Sequence, residues 1–531
     1  MDAEILERVV PADELMNPPY DGNVANLLER PLELFPEKVA IEHADETVTY
    51  EEFGDRVKRI ADGFHEQGYE PGDRVCVYLP NGVGFCETIW ACAYAGVIPS
   101  PINPEYRTRE IEYQFEHSES VAVVCDGDRE EWAVPVAEDL GIEVISTDPD
   151  SDQMTLEDFY EAGSSTLVER EDDDVLLQPY TSGTTGKPKG VLLTHKNLRV
   201  QIVNSVSSYS TSISAVLDAD ALIVFPMYHI TGMVQMMSAL CAGRTFHILR
   251  PDQWDPELVL RKLDENNIPA FGGVATMFMD LLDAYKQNPD EYDLSALRQA
   301  GQGGDKLPEP VHEEFEEEFG VAVSEGYGLT ETTAGTHSIS GSTLGDKVGS
   351  IGQPLGHTES KVVDPDTDEP LEIGEEGELL VRGPQVMKGY FKNPRANEEV
   401  FTDDGFFRTG DVASRDHDNY HYIRGREKDM ILTAGFNVYP SEVEEVLYDH
   451  EEILEAAVFG VPDERRGETV AAAVTLVDGS EMTEDEIRDY VLEEIAPYKH
   501  PRIVDIHDEL PKTGSGKIQK TKLREAYEDR T

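Results

Sequence analysis

Residues 180–191 read Tyr-Thr-Ser-Gly-Thr-Thr-Gly-Lys-Pro-Lys-Gly-Val, which places three glycines, five hydroxyl or phenol side chains and two lysines in one short run. The chemistry on offer is recognition of a polyphosphate, because such a loop can turn backbone N–H groups, hydroxyls and ammonium groups toward phosphate oxygens. Apolar runs flank it, Asp174-Val175-Leu176-Leu177 before and Val191-Leu192-Leu193 after, so the pattern predicts strand, loop, strand. An ordinary nucleoside-triphosphatase loop needs Gly, four residues, then Gly-Lys and Ser or Thr. Here Pro188 follows Gly186-Lys187, and Thr181 stands where the first glycine is required. A Gly/Ser/Thr linker is the plain alternative. Two lysines in a Gly-Lys-Pro-Lys-Gly frame argue against it.

Five more segments carry residues fit for chemistry. Ser324–Thr332 holds Tyr327-Gly328-Leu329-Thr330-Glu331, which alone could be a tight turn after a strand. Gly405–Asp411 ends in Thr409-Gly410-Asp411; a carboxylate only accepts hydrogen bonds and suits two adjacent sugar hydroxyls, although an Asp in a surface turn is common. Tyr422–Asp429 could be a charged, solvated linker. In Pro511–Ile518, Lys517 follows Gly514-Ser515-Gly516 and could ride on a loop into a distant site, or be a solvated lysine near a chain end. Phe225–Gly232 contains His229, whose plainer reading is a core histidine satisfied by backbone.

Taken together and in this order, these segments resemble the acyl-adenylate-forming enzymes: acyl-CoA synthetases, aryl-CoA ligases, luciferases and peptide-synthetase adenylation domains. The resemblance runs from about residue 36 to the end. It implies that Thr181, Ser182, Gly183, Thr184, Thr185, Gly186 and Lys187 form the phosphate loop, with Thr184 and Glu331 on Mg²⁺. Tyr327 would stack on adenine beside Gly328, and Thr330 would bond the α-phosphate. Asp411 would hold the ribose, Ile423 would pack on adenine, and Arg426 would reach ribose or phosphate. Lys428 would be the hinge residue, Gly435 would lie near a thiol channel, Lys517 would be the catalytic lysine, and Lys512 would support its loop. His229 would gate the acyl group. One departure stands out: Gly301-Gln302-Gly303-Gly304-Asp305-Lys306-Leu307-Pro308 lies where the family carries Gly-Gly-Ala-Pro-Leu beside adenine. Gly304 is retained, while Asp305 and Lys306 replace a small apolar pair.

The implied activity is that of an AMP-forming acid–thiol ligase using ATP, Mg²⁺ and coenzyme A. An acid becomes an acyl-adenylate, then coenzyme A takes the acyl group. Met227, Ile230, Met233, Met236, Met237, Val274 and Leu329 are apolar and flexible candidates for the acyl pocket. They favour a medium- or long-chain fatty acid, with an aryl or cinnamic-type acid second; several of these methionines could be plain core. Loading of a carrier protein and a non-catalytic nucleotide-binding regulator are the rivals. A fused carrier is not expected so soon after the lysine motif, and Lys517 and Glu331 are both present.

Positioning such groups requires a scaffold. Thr49-x-x-Glu52 has the frame of a capping box, followed by Phe53, Val57, Ile60, Ala61 and Phe64 at helical spacing. Arg74–Leu79 predicts a strand and Phe85–Tyr94 a helix. Strands alternating with helices to about residue 345 imply parallel sheets covered by helices. Short strands between turns, from about 356 to 424, predict a β-rich subdomain. Capping-box frames at Ser441–Glu444 and Thr483–Glu486, with strands at 456–459 and 470–477, predict a small α+β unit. The expected fold is therefore α/β: a large domain over 1–424, then a small, mobile C-terminal α+β domain over 425–531.

The chain has 531 residues, 39% of them apolar, enough for several packed units. Its 107 acids against 44 bases give a net charge of −63. That charge argues against nucleic acid as partner, since phosphate binding needs a basic face. Spread along the chain rather than gathered in a tail, it fits a host with a molar-salt cytoplasm, where the Debye length is about 3 Å. Cys76, Cys86, Cys92, Cys125 and Cys241 are scattered and odd in number, so neither a disulfide framework nor a zinc site is expected. The acidic start, Met1-Asp2-Ala3-Glu4, does not resemble a secretory signal. A cytoplasmic enzyme acting on small molecules, with no transmembrane segment and with a homodimer left open, is the expectation.

Overall fold

The computed structural model describes residues 21–528 except 45, 161–162, 165, 182–186, 209–218, 305–306, 340–346, 348, 357, 427–428, 434–435, 464, 478, 481 and 514–516. The protein is a mixed α/β fold with a large N-terminal part and a small C-terminal domain. Thr49 caps the helix Tyr50–Glu66: its side chain accepts from the Glu52 N–H while Glu52 reaches back to the Thr49 N–H. Phe53, Val57, Ile60, Ala61 and Phe64 form the buried face of this helix. It packs on the helix Val83–Ala95, where only Gly84 is not buried. A helix apolar all round belongs inside a core.

Beside this helix pair runs a parallel sheet in spatial order Ile98–Pro101, Arg74–Tyr78, Ser120–Cys125, Glu143–Ser146, Met154–Thr155. A second sheet joins Ala221–Ile223, Phe246–Ile248 and Val39–His43 in parallel, with Glu46–Thr49 antiparallel at its edge. A third begins parallel, Ala270–Gly273, Gln299–Gly303, Val323–Leu329, and turns antiparallel through Ala334–Ser338 and Gln353–Pro354. Its central strand carries Tyr327 and Gly328. An antiparallel sheet of Glu359–Val363, Gly377–Arg382, Phe407–Arg415 and His421–Arg426 makes the β-rich region.

The small domain has its own core of Ile431, Val443, Val458, Val470, Ala472, Ile487 and neighbours. Its long hairpin, Ile453–Asp463 with Gly467–Leu476, is joined in parallel by Ile503–Ile506. Thr483 and Glu486 form the expected capping box. Ser441 and Glu444 do not. Pro440 occupies the first helical position, Tyr439 is the cap residue, and no side chain caps the helix. Ser441 Oγ instead donates to the Arg424 carbonyl at 2.5 Å, and Glu444 accepts from the Val458 N–H at 2.6 Å.

Cys76, Cys86, Cys92 and Cys125 are buried and Cys241 is half-buried, all as free thiols. Burial pushes every one upward, Cys76 to about 11. Among the described residues, no helix is long and apolar enough to cross a membrane.

Candidate active site

The stems of the sequence loop form a small antiparallel hairpin. Tyr180–Thr181 pairs with Lys189–Thr194, Thr181 opposite Lys189 and Tyr180 opposite Gly190. Ser182, Gly183, Thr184, Thr185 and Gly186 lie outside the described residues, as do Asp305, Lys306, Lys428 and Gly435.

Tyr327, Asp411 and Arg426 converge from three strands. The Tyr327 hydroxyl donates to Asp411 Oδ2, and Arg426 Nε lies 3.0 Å from Asp411 Oδ1. Strand register explains the second contact, because Asp411 is directly opposite Arg426 in the antiparallel pair. Burial, then the Asp411 charge, hold the Tyr327 phenol protonated and well above its ordinary range. Ile423, two pairs further along, is partly buried against the main core.

Glu331 sits on a single 3₁₀ turn, Thr330–Thr332, that follows the Tyr327 strand. The turn is held from several sides. The Leu329 N–H donates to Thr332 Oγ1 at 2.8 Å, the Met387 N–H donates to the Glu331 carbonyl at 2.8 Å, and Thr333 Oγ1 donates to the Gln385 carbonyl at 2.8 Å. The chain leaves it through Thr333 and Ala334 at φ of 52° and 73°, a conformation disfavoured for residues with a Cβ. Gly328 is required by this return, since a Cβ there would lie 1.4 Å from the Ala334 carbonyl oxygen. The side chain of Glu331 is oriented by Tyr390, whose hydroxyl donates to Oε1 at 2.8 Å. Lys189 Nζ lies 4.5 Å from the centre of the Tyr390 ring. Tyr390 was not singled out in the sequence; an aromatic next to Phe391 reads as core.

Lys517 reaches across from the small domain. Thr513 and Lys517 are tied together: the Thr513 N–H donates to the Lys517 carbonyl at 2.7 Å and the Lys517 N–H to Thr513 Oγ1 at 3.1 Å. Lys512 anchors the loop to its own domain through Glu455 at 2.7 Å. The Lys517 side chain lies over Gly304, where a Cβ would come within 3.3 Å of Cε and 3.8 Å of Nζ. Gly304 has φ of 105°, so glycine suits both its backbone and this close approach. His229 shares the same space. Burial first, then the Lys517 charge, lower its pKa to about 4, so it is a neutral imidazole at pH 7. Its Nδ1 accepts from the Thr231 N–H at 3.4 Å and caps the helix Ile230–Cys241. A cleft of about 110 Å³ runs along the domain junction between Val274, Met279 and Pro308 on one side and Ser441, Tyr448 and Lys517 on the other.

A strand carboxylate held by a tyrosine and an arginine, a fixed glutamate, and a lysine brought from the small domain to Gly304 are the groups the fold positions. The chain belongs to the AMP-binding enzyme family: residues 28–391 match that family and residues 442–517 match its C-terminal domain. It is similar to a feruloyl-CoA synthase of an Amycolatopsis species, 35% identical over 93% of this chain and 96% of the relative. It is also similar to a long-chain-fatty-acid–CoA ligase of Bacillus subtilis (strain 168), 32% identical over 92% of each. Among solved structures, ATP-bound MatB from Rhodopseudomonas palustris superposes with a TM-score of 0.87 at 32% identity, covering 95% of this chain and 99% of that one. The apo form of that protein gives 0.76. The protein is therefore an AMP-forming acyl-CoA synthetase, with ATP and coenzyme A as co-substrates.

Proposed function

We propose that the junction of Lys517, His229 and Gly304 is the adenylation centre and that the acid it activates is compact, of aryl or cinnamic type, with polar groups at its far end. The acid carboxylate attacks the α-phosphorus of ATP and pyrophosphate leaves. The Lys517 ammonium faces the charge that builds there. Asp411 and Tyr327 hold the nucleoside, and Thr330 faces the α-phosphate. The Glu331 carboxylate, oriented by Tyr390, offers a hard oxygen ligand fit for Mg²⁺. That ion, also met by Thr184, would neutralise phosphate charge. Coenzyme A thiolate then attacks the acyl carbonyl and AMP leaves. The small domain changes orientation between the steps, about Lys428, and brings the Gly435 region to the thiol. The closer likeness to ATP-bound than to apo MatB supports an adenylation-ready arrangement.

One observation carries the choice of acid. Met227, Met233, Met236 and Met237 are all enclosed in the main core. Along the helix that His229 caps lies a cavity of about 60 Å³ whose wall includes Gln235, Ser238, Ala239, Ile223 and Gly272. Among the described residues, Ser238 Oγ is buried there with no hydrogen-bond partner. A buried hydroxyl of this kind favours a ligand that can hydrogen-bond to it. The similarity to feruloyl-CoA synthase points the same way. The second reading is a medium- or long-chain fatty acid, supported by the apolar part of the same wall and by the Bacillus relative. Pyrophosphate release across hydroxycinnamates, benzoate, octanoate and palmitate, with and without coenzyme A, tests both. The highest kcat/KM on octanoate or palmitate would overturn the aryl reading. Turnover unaffected by coenzyme A would instead indicate a carrier protein as acceptor.

A further inference from the structure

We propose that the helix Thr108–Ser118 is a positioning clasp that grips both stems of the 180–191 hairpin, His117 through Tyr180 and Tyr113 through Pro188. The proposal rests on the reading of that hairpin as the site of the ATP phosphates.

The first stem is only two residues long, Tyr180–Thr181. A ladder that short contributes little by itself, so contacts from outside must fix where the loop begins and ends. Tyr113 and His117 are four residues apart on one helix and therefore share a face. Their rings stack with centres 5.3 Å apart. Tyr113 Oη donates to the Pro188 carbonyl at 2.8 Å, on the outgoing stem. His117 Nδ1 lies 2.8 Å from Tyr180 Oη, on the incoming stem.

The neighbours of the second bond favour a phenol donor and a neutral imidazole. Gln178 Nε2 donates to Tyr180 Oη at 3.2 Å, which occupies an acceptor position on the phenol. With the imidazole neutral and its proton on Nε2, the phenol proton goes to His117 Nδ1. Burial, then Lys392 and Lys187, disfavour the imidazolium, while Glu119 opposes them. Lys187 Nζ also sits 5.0 Å from the Tyr113 ring centre, a cation over the aromatic face.

Phe391 closes the arrangement from a third direction. Its N–H donates to the Gly190 carbonyl at 2.8 Å and its ring meets His117 edge-on at 5.9 Å. Gly190 leaves room for the Tyr180 ring, since a Cβ there would come within 3.2 Å of Tyr180 Cζ. Removing either helix contact should therefore weaken phosphate binding and leave the later thiol step alone.

The test compares His117→Phe, His117→Asn, Tyr113→Phe and Thr184→Ala with the parent enzyme. Each is assayed for ATP-dependent pyrophosphate formation and for thioester formation from synthetic acyl-adenylate. His117→Phe keeps the ring and loses the acceptor; His117→Asn restores an acceptor near the Nδ1 position. The expected result is an ATP KM raised about 2- to 10-fold in His117→Phe and Tyr113→Phe, the loss of one ordinary hydrogen bond. The KM should return toward the parent in His117→Asn, with thioester formation unchanged in all three. An unchanged ATP KM in His117→Phe, equal loss of both half-reactions, or no recovery in His117→Asn would overturn the clasp. Unaltered ATP kinetics in Thr184→Ala would overturn the phosphate-loop reading itself, and the clasp with it. An effect in Thr184→Ala without one in His117→Phe would sink the clasp alone.

Discussion

The Tyr390 hydroxyl donates a 2.8 Å hydrogen bond to Glu331 Oε1. It fixes one oxygen of the carboxylate proposed above to hold Mg²⁺. Tyr390→Phe should raise the Mg²⁺ concentration for half-maximal adenylation about 10- to 100-fold, in line with one lost hydrogen bond to a charged group. A Mg²⁺ titration of pyrophosphate release checks this. A superimposable saturation curve would remove Tyr390 from the site.

Lys517 should matter where negative charge builds at phosphorus, and hardly at all where a thiol attacks a carbonyl. Lys517→Ala is therefore expected to lose most acyl-adenylate formation and to keep near-parent thioester formation from synthetic acyl-adenylate. Lys428→Pro, at the expected hinge, should show the reverse pattern. Both half-reactions falling together in Lys517→Ala, with circular dichroism unchanged, would refute the assignment.

His195 is 1% exposed and its Nδ1 accepts from the Val24 N–H at 3.0 Å. Burial, with Arg170 next, lowers its pKa to about 3. From an ordinary value near 6.5 down to about 3, the unfolded chain binds a proton that the folded chain refuses. Stability should then fall as the pH is lowered through that window. At pH 4.5 this one group costs about 2–3 kcal/mol relative to pH 7. His195→Asn keeps an acceptor and cannot titrate, so its melting temperature should decline less between pH 7 and pH 4.5. Parallel declines in the two proteins would show that His195 contributes nothing to acid lability.

The net charge of −63 predicts that the folded state is strained by self-repulsion in dilute buffer. Melting temperature and activity should rise from low salt toward molar KCl, where repulsion between charges is confined to about 3 Å. A flat or falling profile would remove the halophilic reading.

Local signals translated well where chemistry is local. Thr49 and Thr483 cap their helices, each answered by a glutamate three residues on, Glu52 and Glu486. Ser441 has the same frame and does not cap, because Pro440 begins the helix and the Arg424 carbonyl takes the serine proton. Lys517 and Gly304 each lie in a motif, but their contact arises from docking of two domains and leaves no local pattern. Methionine spacing could not tell which side of the helix meets the core. Tyr113, His117 and Tyr390 stayed silent for a similar reason: aromatic residues on a half-buried face look alike until a specific carbonyl, phenol or carboxylate is brought to them.

The enclosed thiols bear on the chemical selectivity of the whole reaction. An acyl-adenylate is an acylating agent that any thiolate could attack. This chain keeps its own five thiols protonated, with four sealed in the interior and Cys241 half-covered. A thiol held as S–H is a poor nucleophile. The activated acid is therefore offered no reactive cysteine of the enzyme's own, and self-acylation does not compete with transfer to the incoming thiol of coenzyme A.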